Sequence, residues 1–166
     1  MYQIMASKPN NISKIEILLD QAFGEDRQKK TAYRLRDDVP AVPGLSFVTM
    51  SDEVIIASLQ FWPLLIIDND RSYEALLLGP IAVDNDYRGQ GIGLDLMAHG
   101  LQAAKEQGHK RVILVGDETY YRKVGFSRSL ALGLEMPGPV DKARLLAQEL
   151  VPNALKGVKG MISKIK

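Results

Sequence analysis

"YRGQGIGLDLMAHG", residues 87–100, sets three glycines on alternate positions and then runs straight into an apolar segment with helical spacing. Inside a helix a glycine costs about 1 kcal/mol against alanine, so Gly89, Gly91 and Gly93 are unfavourable where a helix must begin. The arrangement has a physical use. Backbone N–H groups there stand clear of side chains, and the helix terminus adds roughly half a positive charge. Such a turn is suited to phosphate, whereas a tight turn alone needs a single glycine.

Working outward from this stretch, strands and helices alternate. Upstream, "SYEALLLGPIAV" (72–83) reads as a strand after the turn signal at 68–71. "LSFVTMS" (45–51) and "VIIASLQFW" (54–62) read as a hairpin across Asp52-Glu53. Before them come a first strand at 2–6 and a helix capped by Asn10 or Asn11. That helix carries Ile12, Ile15, Leu18, Leu19 and Ala22 and stops at Gly24. "TAYRLRDD" (31–38) is a shorter helix closed by Pro40 and Pro43. Downstream, the glycines open a helix over 91–107, with Ile92, Leu96, Gly100 and Ala103 on one stripe and Met97, Leu101 and Ala104 on the next. "RVILVG" (111–116) has the short, β-branched character of a buried strand. "TYYRKVGF" (119–126) suits a short helix and "SLALGLEM" (129–136) a strand. "ARLLAQEL" (143–150) fits helix and strand equally by periodicity.

No linker, repeat or low-complexity tract interrupts this order, so residues 1–166 are expected to form one α/β (α+β) domain with a mixed sheet. The lysine-rich end, 153–166, is expected to be solvated or partly frayed. With 46% hydrophobic and 25% charged residues and a net charge of +1, the composition is that of a soluble domain. It argues against nucleic acid as a partner. The absence of cysteine excludes disulfides, thiolate catalysis and cysteine-based zinc sites. His99 and His109 have no ligand partner at metal spacing and read as surface residues, so no metal site is expected. No apolar run approaches the ~20 residues needed to span a bilayer and no signal pattern opens the chain; a cytoplasmic protein without a membrane partner is expected.

Three classes of phosphate-bearing ligand use a glycine turn of this kind. A dinucleotide fold requires G-x-G-x-x-G and a Walker loop requires Lys-Ser or Lys-Thr after the last glycine. Here the third glycine comes one position early and Leu94-Asp95 follows it. Neither fits. Arg88-Gly89-Gln90-Gly91-Ile92-Gly93 does match (Gln/Arg)-x-x-Gly-x-(Gly/Ala), and so resembles the pyrophosphate loop of the GNAT superfamily of acyl-coenzyme A-dependent N-acetyltransferases. "GDETYYRKVGF" (116–126) is similar to that family's second signature, with Tyr121 four positions before the pair Gly125-Phe126. The order of elements is also the family's.

The resemblance implies a GNAT fold: a mixed central sheet splayed to form a coenzyme A cleft, with helices on both faces. The cleft would lie between strands 72–83 and 111–116. The backbone of Ile81, Ala82 and Val83 would pair with the pantetheine arm and offer an N–H to the thioester carbonyl. Arg88, Gly89, Gln90, Gly91, Ile92 and Gly93 would hold the pyrophosphate, which side chains at the glycines would block.

A primary amine of a small molecule or peptide would attack acetyl-coenzyme A directly. The resemblance makes Tyr121 the general acid. Its ordinary pKa of about 10, against about 8.5 for a thiol, is read as favouring donation to the departing sulfur. Tyr120 and Trp62 are read as packing residues. Glu74 lies in the central strand but not at the position where some members carry a base. Glu25, Asp26, Glu118 and Glu135 fall on segments that could border the cleft and are candidate bases, none singled out, with ordered water as an equal alternative. Acceptor specificity is expected in the loop after residue 23 and around 134–142.

The short "GDET" connection lacks the asparagine of many members. It resembles instead a bacterial branch with GD-x-x-YY and a C-terminal EL-x-P-x-AL-x-G stretch, followed here by Glu149 to Gly157. That resemblance makes 143–150 a strand. A homodimer is compatible with it. The alternative function is a non-catalytic acyl-coenzyme A binding or sensor module.

Overall fold

The structure is a computed structural model that describes residues 2–24, 26–27 and 31–165. Its axis is the strand β3 (Val54–Asp68), fifteen residues long and buried along most of its length. One edge of β3 pairs antiparallel with β2 (Ser46–Ser51) in its first half and with β9 (Gly160–Lys164) in its second. The other edge pairs with β5 (Ala82–Val83) and then with β4 (Arg71–Leu78). Pro63, which has no N–H to give, falls in the gap between the last partner in β2 and the first in β9. β1 (Gln3–Ala6) extends the sheet beyond β2, and β6 (Arg111–Val115) and β8 (Leu145–Glu149) extend it beyond β4. The β4–β6 pair is parallel, as is the short pairing of β7 (Leu134–Glu135) with β9.

Alternation along the strands feeds two faces. Leu76 and Leu78 point to one side, where Ile92, Leu96, Met97, Leu101 and Ala104 of α3 (Ile92–Glu106) meet Leu59, Phe61 and Leu114. Ala75 and Leu77 point to the other, beside Trp62, Leu64, Ile66, Ile113 and Ile162. On that second face α1 (Ile12–Phe23) buries Ile15, Leu18 and Leu19 against Val48, Ile55 and Ala82. The mixed sheet with helices on both faces is the architecture expected from the resemblance. Among the described residues no helix is long and apolar enough to cross a membrane.

Several boundaries differ from the sequence reading. The strand expected over 72–83 is two, β4 and β5, because the backbone bulges at Gly79-Pro80-Ile81. β3 runs on to Asp68, since the expected turn closes a hairpin in which Asp68 faces Arg71 and Asn69 has φ 55°. The helix over 31–38 is a single turn, α2 (Thr31–Arg34), followed by looser turns. The helix over 119–126 is α4 (Glu118–Tyr121) with a 3-10 turn at Arg122–Val124 that ends at Gly125, φ 100°. In 129–136 a 3-10 turn at Ser129–Ala131 precedes the two-residue β7.

Segment 143–150 contains the strand β8. Its Leu145, Leu146 and Ala147 are all buried because both faces of the sheet are covered there, which erases the two-residue alternation. The C-terminal end is not frayed over Gly160–Lys164: it is β9, paired on both edges, with Ile162 fully buried.

Candidate active site

β4 and β6 pair only at Leu76↔Val112 and Leu77↔Ile113. Past those residues the two strands part for different reasons. The register of β3 with its neighbour shifts by one residue between Phe61↔Leu78 and Ser58↔Ala82, a β-bulge that turns the chain and re-aims Ile81. β6 instead ends against the incoming C-terminal segment, where the Gly116 N–H donates to the Arg144 carbonyl at 2.8 Å. Two cavities fill the opening, one of about 590 Å³ and one of about 380 Å³. Phe23, Ile81 and Tyr121 line both, so Tyr121 stands at their junction.

The larger cavity is walled by the glycine turn. Gly89 and Gly91 have φ of 82° and 79°, the left-handed region that glycine adopts without penalty. A Cβ at either would meet nothing within 4 Å, so the protein itself requires the backbone angle rather than the space. At Gly93 the reverse holds: a Cβ would come within 2.9 Å of the Tyr120 hydroxyl. The first bond of α3 runs from the Asp95 N–H to the Gly91 carbonyl at 3.0 Å. The amides of Ile92, Gly93 and Leu94 therefore have no partner within the helix, at the end where its dipole is positive. Arg88 and Lys123 are the cationic side chains on this wall.

Of the residues singled out in the sequence, Ile81, Val83, Arg88, Gly89, Gly91, Ile92 and Gly93 line this cavity. Ala82 is fully buried in the core beside α1 and Gln90 is exposed away from the wall. Lys123 escaped the sequence reading, because the turn that carries it was read only for its tyrosine and its Gly-Phe pair. Tyr120, read as packing, lines the cavity as well as packing against the core.

Tyr121 is positioned from below and behind. Asp117 caps α4 by accepting the Thr119 N–H at 3.1 Å. Gly125 ends the following turn, and fully buried Phe126 sets its ring edge-on to Tyr121 with centres 6.4 Å apart. A Cβ at Gly116 would overlap the Tyr121 ring, so only glycine there lets the ring lie against the end of β6. The Tyr121 hydroxyl has no hydrogen-bond partner among the described residues. Burial pushes it up to about 12, with Tyr120 adding to the effect and Arg144 opposing it.

The proton donation argued from ordinary pKa values runs uphill even before this shift, since a tyrosine near 10 is a weaker acid than a thiol near 8.5 by about 1.5 pKa units. A proton passes readily from a lower-pKa acid to the conjugate base of a higher-pKa one. From a tyrosine near 12 to a thiolate near 8.5 it runs uphill by about 3.5 pKa units, on the order of 5 kcal/mol. Burial thus favours the protonated hydroxyl, the form that can donate a hydrogen bond.

One wall of the smaller cavity comes from the segment around 134–142, where acceptor specificity is expected. The other comes from the stretch read as the helix 31–38, and Gly24, Asp26 and Arg27 of the loop after residue 23 do not line it. Thr31, Ala32, Tyr33 and Arg36 form one side and Pro139, Val140, Asp141 and Arg144 another. The Thr31 hydroxyl donates to the Pro139 carbonyl at 2.6 Å and ties the two sides together. None of the described candidate bases lines either cavity. Glu118 accepts the Arg128 N–H at 2.7 Å, which holds its carboxyl below the usual range, and it pairs with Arg122. Glu74 and Glu135 are exposed on β4 and β7, Asp26 is exposed, and Glu25 lies outside the described residues. Among the lining residues the carboxylate is Asp141, which nothing in its sequence context marks.

The Acetyltransferase (GNAT) family profile matches residues 12–126. The chain is 30% identical over 155 residues to the uncharacterized N-acetyltransferase YhbS of Escherichia coli (strain K12), covering 93% of this chain and 90% of that protein. A crystal structure of Escherichia coli YhbS in complex with CoA superposes with a TM-score of 0.84 at 27% identity, over 99% of this chain and 89% of that one. A GNAT family acetyltransferase from Brucella melitensis, solved with acetyl-CoA, shares the fold with a TM-score of 0.73 at 21% identity, over 99% and 96% of the two chains. The splayed sheet, the glycine turn that opens α3 and the extent of these matches lead to one conclusion: the chain belongs to the GNAT acetyltransferase family.

Proposed function

We propose that this protein is an N-acetyltransferase that moves an acetyl group from acetyl-coenzyme A to a primary amine of a small molecule or peptide, by direct attack within a ternary complex. The observation that carries the reading is the meeting of two cavities at Tyr121. One has the cationic, amide-lined wall that a diphosphate requires; the other is mostly apolar with a few polar groups, as small-molecule sites are.

The residues present fit acetyl-coenzyme A. The amides of Ile92, Gly93 and Leu94, which have no partner within α3, suit its pyrophosphate together with Arg88 and Lys123, and the bulge frees the segment Ile81 to Val83 from β6 to meet an extended arm. When bound, it would supply an acetyl group activated as a thioester: the amine nitrogen would bond the carbonyl carbon, the carbon–sulfur bond would break with the sulfur departing as a thiolate, and the nitrogen's proton would pass to ordered water.

The protein's own groups do the rest. An N–H of the Ile81–Val83 segment polarises the carbonyl. Tyr121, protonated throughout the neutral range, donates a hydrogen bond to the leaving sulfur. Asp141 sits on the acceptor wall, where a carboxylate attracts an ammonium group. Freeing a lysine-like amine of its proton at pH 7 costs about 4.6 kcal/mol, and an α-amine of pKa about 8 far less. The absence of cysteine removes the usual nucleophile of an acetyl-enzyme route and agrees with direct attack.

Calorimetric titration with acetyl-coenzyme A, coenzyme A, ATP and NAD tests the first half of the reading. Micromolar binding of the two coenzyme A compounds alone is expected, and no binding would end it. Release of free thiol over a panel of amines tests the second half, because a non-catalytic sensor would bind the same compounds and leave every amine unchanged.

A further inference from the structure

Two arginines lie beside α1 and α2, and the fold treats them differently. Arg27, almost wholly buried, is paired with both Glu16 and Asp20 of α1. Arg36, on the wall of the smaller cavity, has no ion pair and no side-chain hydrogen bond among the described residues, and its Nη1 is buried. Its guanidinium packs on the rings of Tyr33 and Trp62, 4.0 and 4.1 Å from their centres. The Trp62 indole is itself fixed by donating to the Val39 carbonyl at 3.0 Å.

A second group lies alongside. Tyr33 leaves only 7% of its surface exposed; Arg27 bears on its hydroxyl as a donor, and among the described residues nothing accepts the hydroxyl's own proton, while the residue lines the same cavity. Two buried donors without acceptors among the described residues, beside one another on one wall, are costly in a folded protein unless something accepts from them.

The chemistry of the missing acceptor can be read from these groups. A guanidinium stacked on aromatic rings offers its N–H groups only in its own plane, which suits a planar, bidentate anion. The neutral tyrosine hydroxyl supplies a third donor. Around them the walls are largely apolar (Leu77, Pro80, Leu114, Val140), and the space of about 380 Å³ suits a small molecule.

Resting on the acetyltransferase reading above, we propose that the acceptor is a small amine carrying a carboxylate, and that Arg36 and Tyr33 are the specificity-determining residues that hold that carboxylate. The amine reaches the junction at Tyr121, and the carboxylate is held back against α2. Asp141, on the facing wall, favours the end of the molecule that is positively charged.

Matched pairs test this: glycine, β-alanine, 4-aminobutyrate and 6-aminohexanoate, each against the unsubstituted alkylamine of the same chain length. Thiol release and acetyl-coenzyme A binding are measured on the same preparation. At least one amino acid is expected to exceed its neutral partner about 10-fold or more in kcat/KM, the gain lying in KM. R36M and Y33F should each cut that ratio, R36M by about 10- to 100-fold, the range of a lost charge-assisted hydrogen bond. R36K should restore it only in part, since an ammonium lacks the planar fork.

Unchanged acetyl-coenzyme A affinity in R36M shows that the fold has survived, and Y33F, which deletes only one hydroxyl, provides an independent check. If acetyl-coenzyme A binds but the neutral amines are preferred, or no carboxylate-bearing amine is acetylated, this inference is overturned while the coenzyme A site stands. If acetyl-coenzyme A does not bind, the acetyltransferase reading fails first.

Discussion

At Tyr121 one side chain combines burial, a hydroxyl without a hydrogen-bond partner among the described residues and contact with both cavities, and its proton is the property on which its proposed use depends. With its pKa near 12 the hydroxyl stays neutral far above physiological pH. Replacing Tyr121 with Phe is expected to lower kcat about 10²-fold, the cost of one donor aimed at developing charge, and to leave acetyl-coenzyme A affinity within about 3-fold. A rate unchanged from pH 6 to 9 in the variant would remove Tyr121 from the mechanism.

The same burial makes a stability prediction. Below pH 10 the hydroxyl is neutral in both folded and unfolded chains, so its contribution is fully present. Between about pH 10 and 12 the unfolded chain ionises while the folded one resists, and stability falls by on the order of 2–3 kcal/mol. Burial also raises Tyr33 and Tyr120, which lose stability in the same direction. Denaturant unfolding followed from pH 9 to 12 should therefore show a shallower decline in Tyr121→Phe than in the parent, but not a flat one.

At the scale of elements, the turn that opens α3 separates two reasons for glycine that look identical in sequence. Gly89 and Gly91 answer to backbone angle and Gly93 to the neighbouring Tyr120 hydroxyl. Gly93→Ala gains about 1 kcal/mol of helix propensity yet must push Tyr120 outward into the larger cavity. Thermal stability should therefore change little, while acetyl-coenzyme A affinity drops roughly 5- to 20-fold by calorimetry; an unchanged affinity would show that Tyr120 moves aside freely.

The turn itself was legible because glycine on alternate positions has few other causes, and Tyr121 because Gly125 and Phe126 follow at fixed distances. The bulge at Gly79-Pro80-Ile81 was not: a strand with one extra residue has the same apolar run as an unbroken one. Arg36, Tyr33 and Asp141 were not legible either. Each sits among ordinary polar residues, and only the folding of α2 against the segment after β7 brings them to one wall.

At the scale of the molecule, the C-terminal strand links the sheet's axis to a wall of the smaller cavity. β9 pairs with β3 over Leu64–Ile67 and with β7 at Leu134 and Glu135, and the Gly160 N–H donates to the Gly133 carbonyl at 3.0 Å. Four residues after β7 the chain reaches Pro139, Val140 and Asp141 on the cavity wall. A lysine-rich terminus whose strand has a single buried residue hides this from sequence reasoning, because in β9 Ile162 alone carries the apolar signal.

Ile162→Ala removes a fully buried side chain and should cost about 2–5 kcal/mol, read as a drop in Tm of roughly 5–15 °C for a chain of this size. Met161→Ala, on the exposed side of the same strand, should cost less than about 1 kcal/mol. Loosening β9 releases β7 and with it the Pro139–Asp141 segment, whereas the glycine turn and Tyr121 are held by α3, β6 and Phe126 on other elements. Well below its Tm, Ile162→Ala should thus raise KM for the acceptor more than KM for acetyl-coenzyme A. Equal increases in the two would mean that the cavities are coupled through the sheet and that β9 supports the whole site rather than one wall.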